Sequence, residues 1–262
     1  MNNSPIGVYD SGLGGLSVWR ELRLRLTEES LIYLGDGKNC PYGGRSREDI
    51  ERFAESAVEY LVERGVKMVV VGCNTATTAA IDHLRAKWPN LPIVGLEPAV
   101  KPACLNSATR RIVVLATKHS LQSDMFLRTA ARYADDVEVL KVVGKEFVEI
   151  VEANEELTQR GEEAVRRVVE PLLDKQIDYI VLGCTHYPFL RSQIERVIGN
   201  RDIKVIDSGE AVARRVEWLL ERYDIRAERG HRATYDFATF ADDDYLGRLR
   251  QRGKQILSEY KP

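Results

Sequence analysis

Met68-Val69-Val70-Val71-Gly72-Cys73-Asn74-Thr75 is a short β-branched run that stops at Gly-Cys and turns polar, and Tyr179-Ile180-Val181-Leu182-Gly183-Cys184-Thr185-His186 repeats that plan 111 positions later. A short apolar run without polar alternation reads as a strand buried on both faces, the kind found in parallel sheets. Its second copy implies a duplicated unit that carries one thiol at the end of the same strand in each half.

Working outward, strand-like segments at 6–9, 31–34, 68–71 and 92–96 are followed by a second set at 111–115, 137–143, 177–182 and 204–206. Matching starts (6 and 111, 68 and 177, 92 and 204) lie 105, 109 and 112 residues apart, so the order of elements recurs at a nearly constant offset. Longer amphipathic segments alternate with these runs. The stretch 46–64 opens on Ser46-Arg47-Glu48-Asp49, a helix-start pattern, and then places Ile50, Phe53, Ala57 and Leu61 on one face. The pattern predicts an α/β fold of two pseudo-symmetric lobes, each a mainly parallel sheet flanked by helices, with the active site between them. A helix at 208–223, a strand at 234–240 and a helix at 242–260 remain, and their simplest home is the first lobe. The expected domains are therefore 1–99 plus 208–262, and 100–207.

The 262 residues and their 44% hydrophobic content are sufficient for substantial cores. With 38 basic against 40 acidic residues, the net charge of -2 supplies no field to recruit nucleic acid or an anionic membrane, so neither is an expected partner. The start of the chain has neither a basic flank nor a signal-length apolar stretch, and no apolar run approaches the roughly 20 residues of a membrane span. A cytoplasmic protein is expected. Four scattered cysteines, Cys40, Cys73, Cys104 and Cys184, form no disulfide framework and no CxxC zinc pattern.

In open α/β sheets ligands sit beyond the carboxyl ends of the strands, where Cys73 and Cys184 both fall. A thiol between a strand end and a helix start lies where backbone N–H groups and the helix dipole favour the thiolate. A single Gly-Cys is ordinarily just a buried small residue; its duplication at equivalent places points to chemistry. A Cys-x5-Arg phosphate loop is excluded because Ala79 and Leu190 stand where arginine is needed. A metal site from Cys73, Cys184 and His186 lacks a fourth ligand and close ligand spacing, so no metal is expected. A Cys-His acyl-transfer enzyme leaves the second thiol idle. Two separately tuned thiols do suit removal of a proton from one face of a carbon and its return to the other, which inverts a stereocentre.

Other polar groups collect at the same predicted rim. Asp10-Ser11-Gly12-Leu13-Gly14-Gly15 follows the first strand; it fails the dinucleotide fingerprint because Ser17 replaces the last glycine, and it reads as a turn or a ligand loop. Asp10 is placed to hold an ammonium group or to help move the proton. Pro41-Tyr42-Gly43-Gly44 offers backbone amides on a constrained loop. Asn74, Thr75, Thr77, Thr117 and Thr185 add hydroxyls, an amide and helix-start N–H groups that together suit a carboxylate, though any one alone is an ordinary helix cap. His186 lies two residues after Cys184. Glu152 sits in a Glu-rich stretch with Glu149, Glu155 and Glu156, whose default reading is a solvated helix face.

Taken together, Asp-Ser-Gly-Leu-Gly-Gly-Leu-Ser (10–17), Pro-Tyr-Gly (41–43), Cys-Asn-Thr-Ala (73–76), Gly-Cys-Thr-His-Tyr-Pro (183–188) and Ile-Asp-Ser-Gly-Glu (206–210) resemble the glutamate racemases of the aspartate/glutamate racemase family, in the family's order. Gly72 departs from the alanine usual there. The resemblance implies cofactor-independent racemisation of L- and D-glutamate, supplying D-glutamate for peptidoglycan, with Cys73 and Cys184 as the catalytic acid–bases and no cofactor. It implies that the thiol matching Cys73 takes the proton from D-glutamate and that matching Cys184 from L-glutamate. Asp10, His186 and Glu152 are the implied auxiliaries. Substrate contacts carry over to Asp10, Ser11, Tyr42, Gly43, Asn74, Thr75, Thr185 and His186, with Thr117 at the same rim, and a homodimer is expected. The alternatives are an aspartate racemase or related two-cysteine enzyme, and a catalytically silent small-ligand-binding relative.

Overall fold

The computed structural model describes residues 1–259, so Tyr260, expected at the end of the last helix, lies outside the described residues. The strands in chain order are β1 (Ile6–Asp10), β2 (Leu31–Gly35), β3 (Met68–Val71), β4 (Ile93–Gly95), β5 (Arg111–Ala116), β6 (Glu138–Val143), β7 (Tyr179–Leu182), β8 (Lys204–Ile206) and β9 (Tyr235–Thr239). Each falls within three residues of its expected bounds. Among the described residues they form two all-parallel sheets, ordered β4-β3-β1-β2-β9 and β6-β5-β7-β8. Setting β5 to β8 against β1 to β4 makes the two orders identical, with β9 as an added edge strand beside β2. The chain divides into two units, 1–96 plus 209–262, and 97–208.

In the first unit β1 and β3 are buried from end to end, as their unbroken apolar runs require. The helix Arg47–Glu63 starts where the hydroxyl of Ser46 accepts the N–H of Asp49 at 3.1 Å. It buries Ile50, Ala54, Ala57, Val58 and Leu61. Phe53, expected in that core face, is only half-buried, with its ring against that of Tyr42, 5.6 Å between centroids. Below the sheet, Lys67 and Glu29 make a buried ion pair at 2.6 Å, and Glu29 also accepts the N–H of Ala227 at 2.8 Å. This ties the segment before β9 to the feet of β2 and β3.

The second unit separates its two core layers by strand parity. Val113 and Leu115 of β5 face one side with Ile180 and Leu182 of β7, packed under Phe147, Ile150, Val165 and Ile194. Ile112, Val114 and Ala116 face the other with Tyr179 and Val181, under Val100, Ala103 and Phe126. Each fully buried Val, Leu or Ile contributes roughly 1.5–3 kcal/mol. Cys184 continues the even-numbered side of β7 and is buried in the first of these layers. No helix among the described residues is long and apolar enough to cross a membrane.

Candidate active site

In the first sheet the chain winds to opposite sides from β1, leaving a topological switch between β1 and β3 at their carboxyl ends. Asp10 and Ser11 close β1 there and Cys73 follows β3. Cys73 is the N-cap of the helix Asn74–Lys87, and its Sγ accepts the N–H of Ala76 at 3.4 Å. The thiol lies 3.6 Å from the hydroxyl of Ser11, which in turn donates to Asp10 Oδ1 at 3.2 Å. The same oxygen accepts the N–H of Gly12 at 2.8 Å. Asp10 is fully buried, and Cys73, Ser11, Asn74 and Thr75 nearly so.

The glycine of this turn that matters most is Gly15. A Cβ there would stand 2.5 Å from Cβ of Asp10 and 2.9 Å from the hydroxyl of Tyr33, so the turn closes against Asp10 only because position 15 has no side chain. At Gly72 a Cβ would meet the carbonyl of Tyr9 at 3.2 Å, a tight fit that needs a small shift.

The hydroxyls of two expected groups, Thr77 and Tyr42, are taken up by internal hydrogen bonds. The hydroxyl of Thr77 donates to the carbonyl of Val71 at 3.3 Å and accepts the N–H of Leu96 at 3.0 Å, joining the ends of β3 and β4. Tyr42 is buried, and its hydroxyl donates to Asp36 Oδ2 at 2.6 Å while accepting from Tyr9 at 2.6 Å. What Tyr42 and Gly43 can offer a ligand is backbone, at the start of the turn Tyr42–Gly44. Burial pushes the Tyr42 phenol far above its ordinary value, and the neighbouring Tyr9 and Asp36 push it the same way. Among the described residues the buried amide nitrogen of Asn74 has no hydrogen-bond partner.

In the second unit Thr117 follows β5 and Cys184 follows β7, the equivalent switch position. The Thr117 hydroxyl accepts the N–H of Ser120 at 3.2 Å and donates to its Oγ at 3.0 Å, capping the helix Lys118–Gln122. Cys184 Sγ lies 3.8 Å from Nδ1 of His186, whose Nε2 lies 2.6 Å from Oε1 of Glu152. The side chains of His186 and Glu152 are 3% and 16% exposed. Burial alone would lower the histidine pKa, but the thiol of Cys184 and the carboxylate of Glu152 outweigh it and hold the imidazole well above its ordinary value. Thr185 is buried beside them.

The solvated reading of the Glu-rich stretch is thereby corrected for two of its members. The helix Phe147–Glu152 packs Phe147, Ile150 and Val151 inward and ends with Glu152 against His186, while Glu156 is buried as well. The sequence reading passed over Tyr9 and Asp36, whose hydrogen bonds to Tyr42 span three separate segments. The one available signal was that Asp36 follows β2 as Asp10 ends β1.

Residues 16–216 match the Asp/Glu/hydantoin racemase family. The chain belongs to that family. It is 43% identical over 96% of its length to a glutamate racemase of Herpetosiphon aurantiacus, of which it covers 98%. Among solved structures it resembles a glutamate racemase isoform of Bacillus anthracis, with a TM-score of 0.86 at 31% identity, covering 97% of this chain and 95% of that one. It also resembles the Escherichia coli glutamate racemase in complex with L-glutamate and the activator UDP-MurNAc-ala, with a TM-score of 0.84 at 33% identity and 95% of each chain covered.

Proposed function

We propose that the protein interconverts L- and D-glutamate by 1,1-proton transfer at Cα, with Cys73 and Cys184 as the acid–base pair and no cofactor or metal. The observation that carries this reading is the repeat itself: each unit ends its equivalent strand in a buried cysteine, and each cysteine has its own proton-handling neighbours. In the L-to-D direction the thiolate of Cys184 takes the Cα proton and becomes a thiol. Cys73 gives its thiol proton to the opposite face and is left as the thiolate. The return direction exchanges these states, so one proton is lost and one gained at carbon in each turnover.

Asp10 and Ser11 serve Cys73 and the substrate ammonium, and His186 with Glu152 serves Cys184. The unpartnered amide nitrogen of Asn74 is a donor that a carboxylate would satisfy, and Thr75, Thr185, Thr117 and the backbone at Tyr42 and Gly43 complete the binding groups. Identity of up to 44% with glutamate racemases supports glutamate over aspartate. D-glutamate for peptidoglycan is the product, made in the cytoplasm by a homodimer that needs neither nucleic acid nor membrane. The test is racemisation in deuterium oxide, followed by polarimetry and mass spectrometry with glutamate and aspartate in parallel. One deuterium at Cα of the inverted glutamate is expected; inversion without solvent label, or equal turnover of aspartate, overturns the reading.

A further inference from the structure

A buried chain of hydroxyls holds the Tyr42–Gly44 turn, and the proton transfers at the thiols make no use of it. Tyr9 donates to Tyr42 at 2.6 Å, Tyr42 to Asp36 at 2.6 Å, and the amide of Asn39 donates to both Asp36 oxygens at 3.1 and 2.9 Å. Tyr9 and Asp36 are fully buried and Tyr42 is 1% exposed. The chain joins three segments: Tyr9 lies in β1 one residue before Asp10, Asp36 directly follows β2, and Tyr42 sits on the turn beyond. Backbone bonds extend the same junction, because the carbonyl of Tyr9 accepts the N–H of Gly72 at 2.6 Å and that of Asp10 accepts the N–H of Asp36 at 2.9 Å.

Packing alone does not explain these groups. The Tyr42 ring already rests on Phe53, and phenylalanine at positions 9 and 42 would fill the same space. In the second unit the residue equivalent to Tyr9, by its register against β7, is Leu115, which packs in the core with no hydroxyl of its own. A carboxylate buried with neutral donors costs desolvation, and what it returns is direction: a fully satisfied hydrogen-bonded chain selects one geometry where apolar contacts allow sliding.

We propose that Tyr9 and Asp36 are positioning residues, whose hydrogen bonds to Tyr42 set the place of the Tyr42–Gly43 backbone relative to Asp10 and Cys73 and thereby govern affinity for the amino-acid substrate. This rests on the racemase reading above, since it assumes that the turn contacts substrate. The test uses the full-length protein carrying Tyr9→Phe, Tyr42→Phe, both together, or Asp36→Asn, with steady-state kinetics in both directions and amide exchange at residues 42–45. Tyr9→Phe is expected to raise KM about threefold to tenfold in both directions, the reach of one neutral hydrogen bond, with kcat within about twofold. Amides 42–45 should exchange faster while those of β1 and β3 do not. The double variant should be no worse than Tyr42→Phe alone, and Asp36→Asn, which keeps an acceptor for Tyr42, should have the mildest effect. A lowered Tm with KM and loop exchange unchanged overturns the proposal. Loop exchange reads the positioning even without turnover, so its failure is separable from failure of the racemase reading, which the unsubstituted protein reports by itself. Should Tyr9→Phe not fold, Tyr42→Phe carries the same test.

Discussion

Cys73 and Cys184 occupy the same place in two copies of one backbone, and the match reaches individual hydrogen bonds. Gly72 donates to the carbonyl of Tyr9 at 2.6 Å and Gly183 to that of Leu115 at 2.7 Å, each bridging to the neighbouring central strand. One residue later the copies part. Cys73 caps a fourteen-residue helix and faces the hydroxyl of Ser11 backed by Asp10. Cys184 leads into the short turn Tyr187–Leu190 and faces an imidazole backed by Glu152. Where the first unit has Asp10 and Ser11, the second has Ala116 and Thr117, and its carboxylate arrives from a separate helix instead. The repeated sheet supplies the position of each sulfur, and the local side chains decide how each exchanges protons.

The comparison breaks most directly at the thiols. Replacing Cys73 or Cys184 by serine should each lower kcat/KM by about 10²–10⁴, the range for losing a general acid–base group, as read by polarimetry in both directions. If either variant kept full activity, the two sites would not share one reaction. Glu152→Gln should come next, costing about 1.5–3 kcal/mol through the charged hydrogen bond to His186. Because the folded-state pKa of His186 is raised, its stabilisation is complete below the unfolded value of about 6.5 and is lost as pH climbs through the higher folded value. The stability gap between the native protein and Glu152→Gln should therefore narrow on the alkaline side in chemical denaturation. NMR titration of His186 should move back toward its ordinary value, and the environment of Cys73 should not respond.

Gly15→Ala probes the other copy. Its Cβ would press on Asp10 and Tyr33, so about 1–3 kcal/mol of stability should be lost, with a fall in activity and no change in the His186 titration. Ser11→Ala, which removes the hydroxyl beside Cys73, should have the smallest effect, about 0.5–1.5 kcal/mol in kcat/KM with Tm nearly unchanged. An effect of Ser11→Ala on the His186 pKa would show the two surroundings to be less separate than their residues imply.

Most strand positions were legible because parallel strands buried on both faces leave a continuous apolar signal, and the Ser46 cap marked its helix because the hydroxyl bond is local. Glu152 was harder to place. It shares its stretch with Glu149, Glu155 and Glu156, which the sequence does not tell apart from it, and only the end of the helix Phe147–Glu152 against the His186 turn selects it as the partner. Phe53 and Thr77 were misplaced for a similar reason: helical periodicity gives a face, while the partner on that face comes from a loop or strand far along the chain.

The amino-acid order alone determined the duplicated α/β plan, the two strand-terminal cysteines and the cluster of polar groups at the strand ends, since hydrophobic period, caps and glycine turns act between near neighbours. Tertiary structure decided which carboxylate serves which side chain: Asp10 with Ser11, Glu152 with His186, and Asp36 with Tyr42 and Tyr9. Those pairings are set by burial, which makes an unmet polar group costly and so selects partners by distance in space, a quantity that spacing along the chain does not carry.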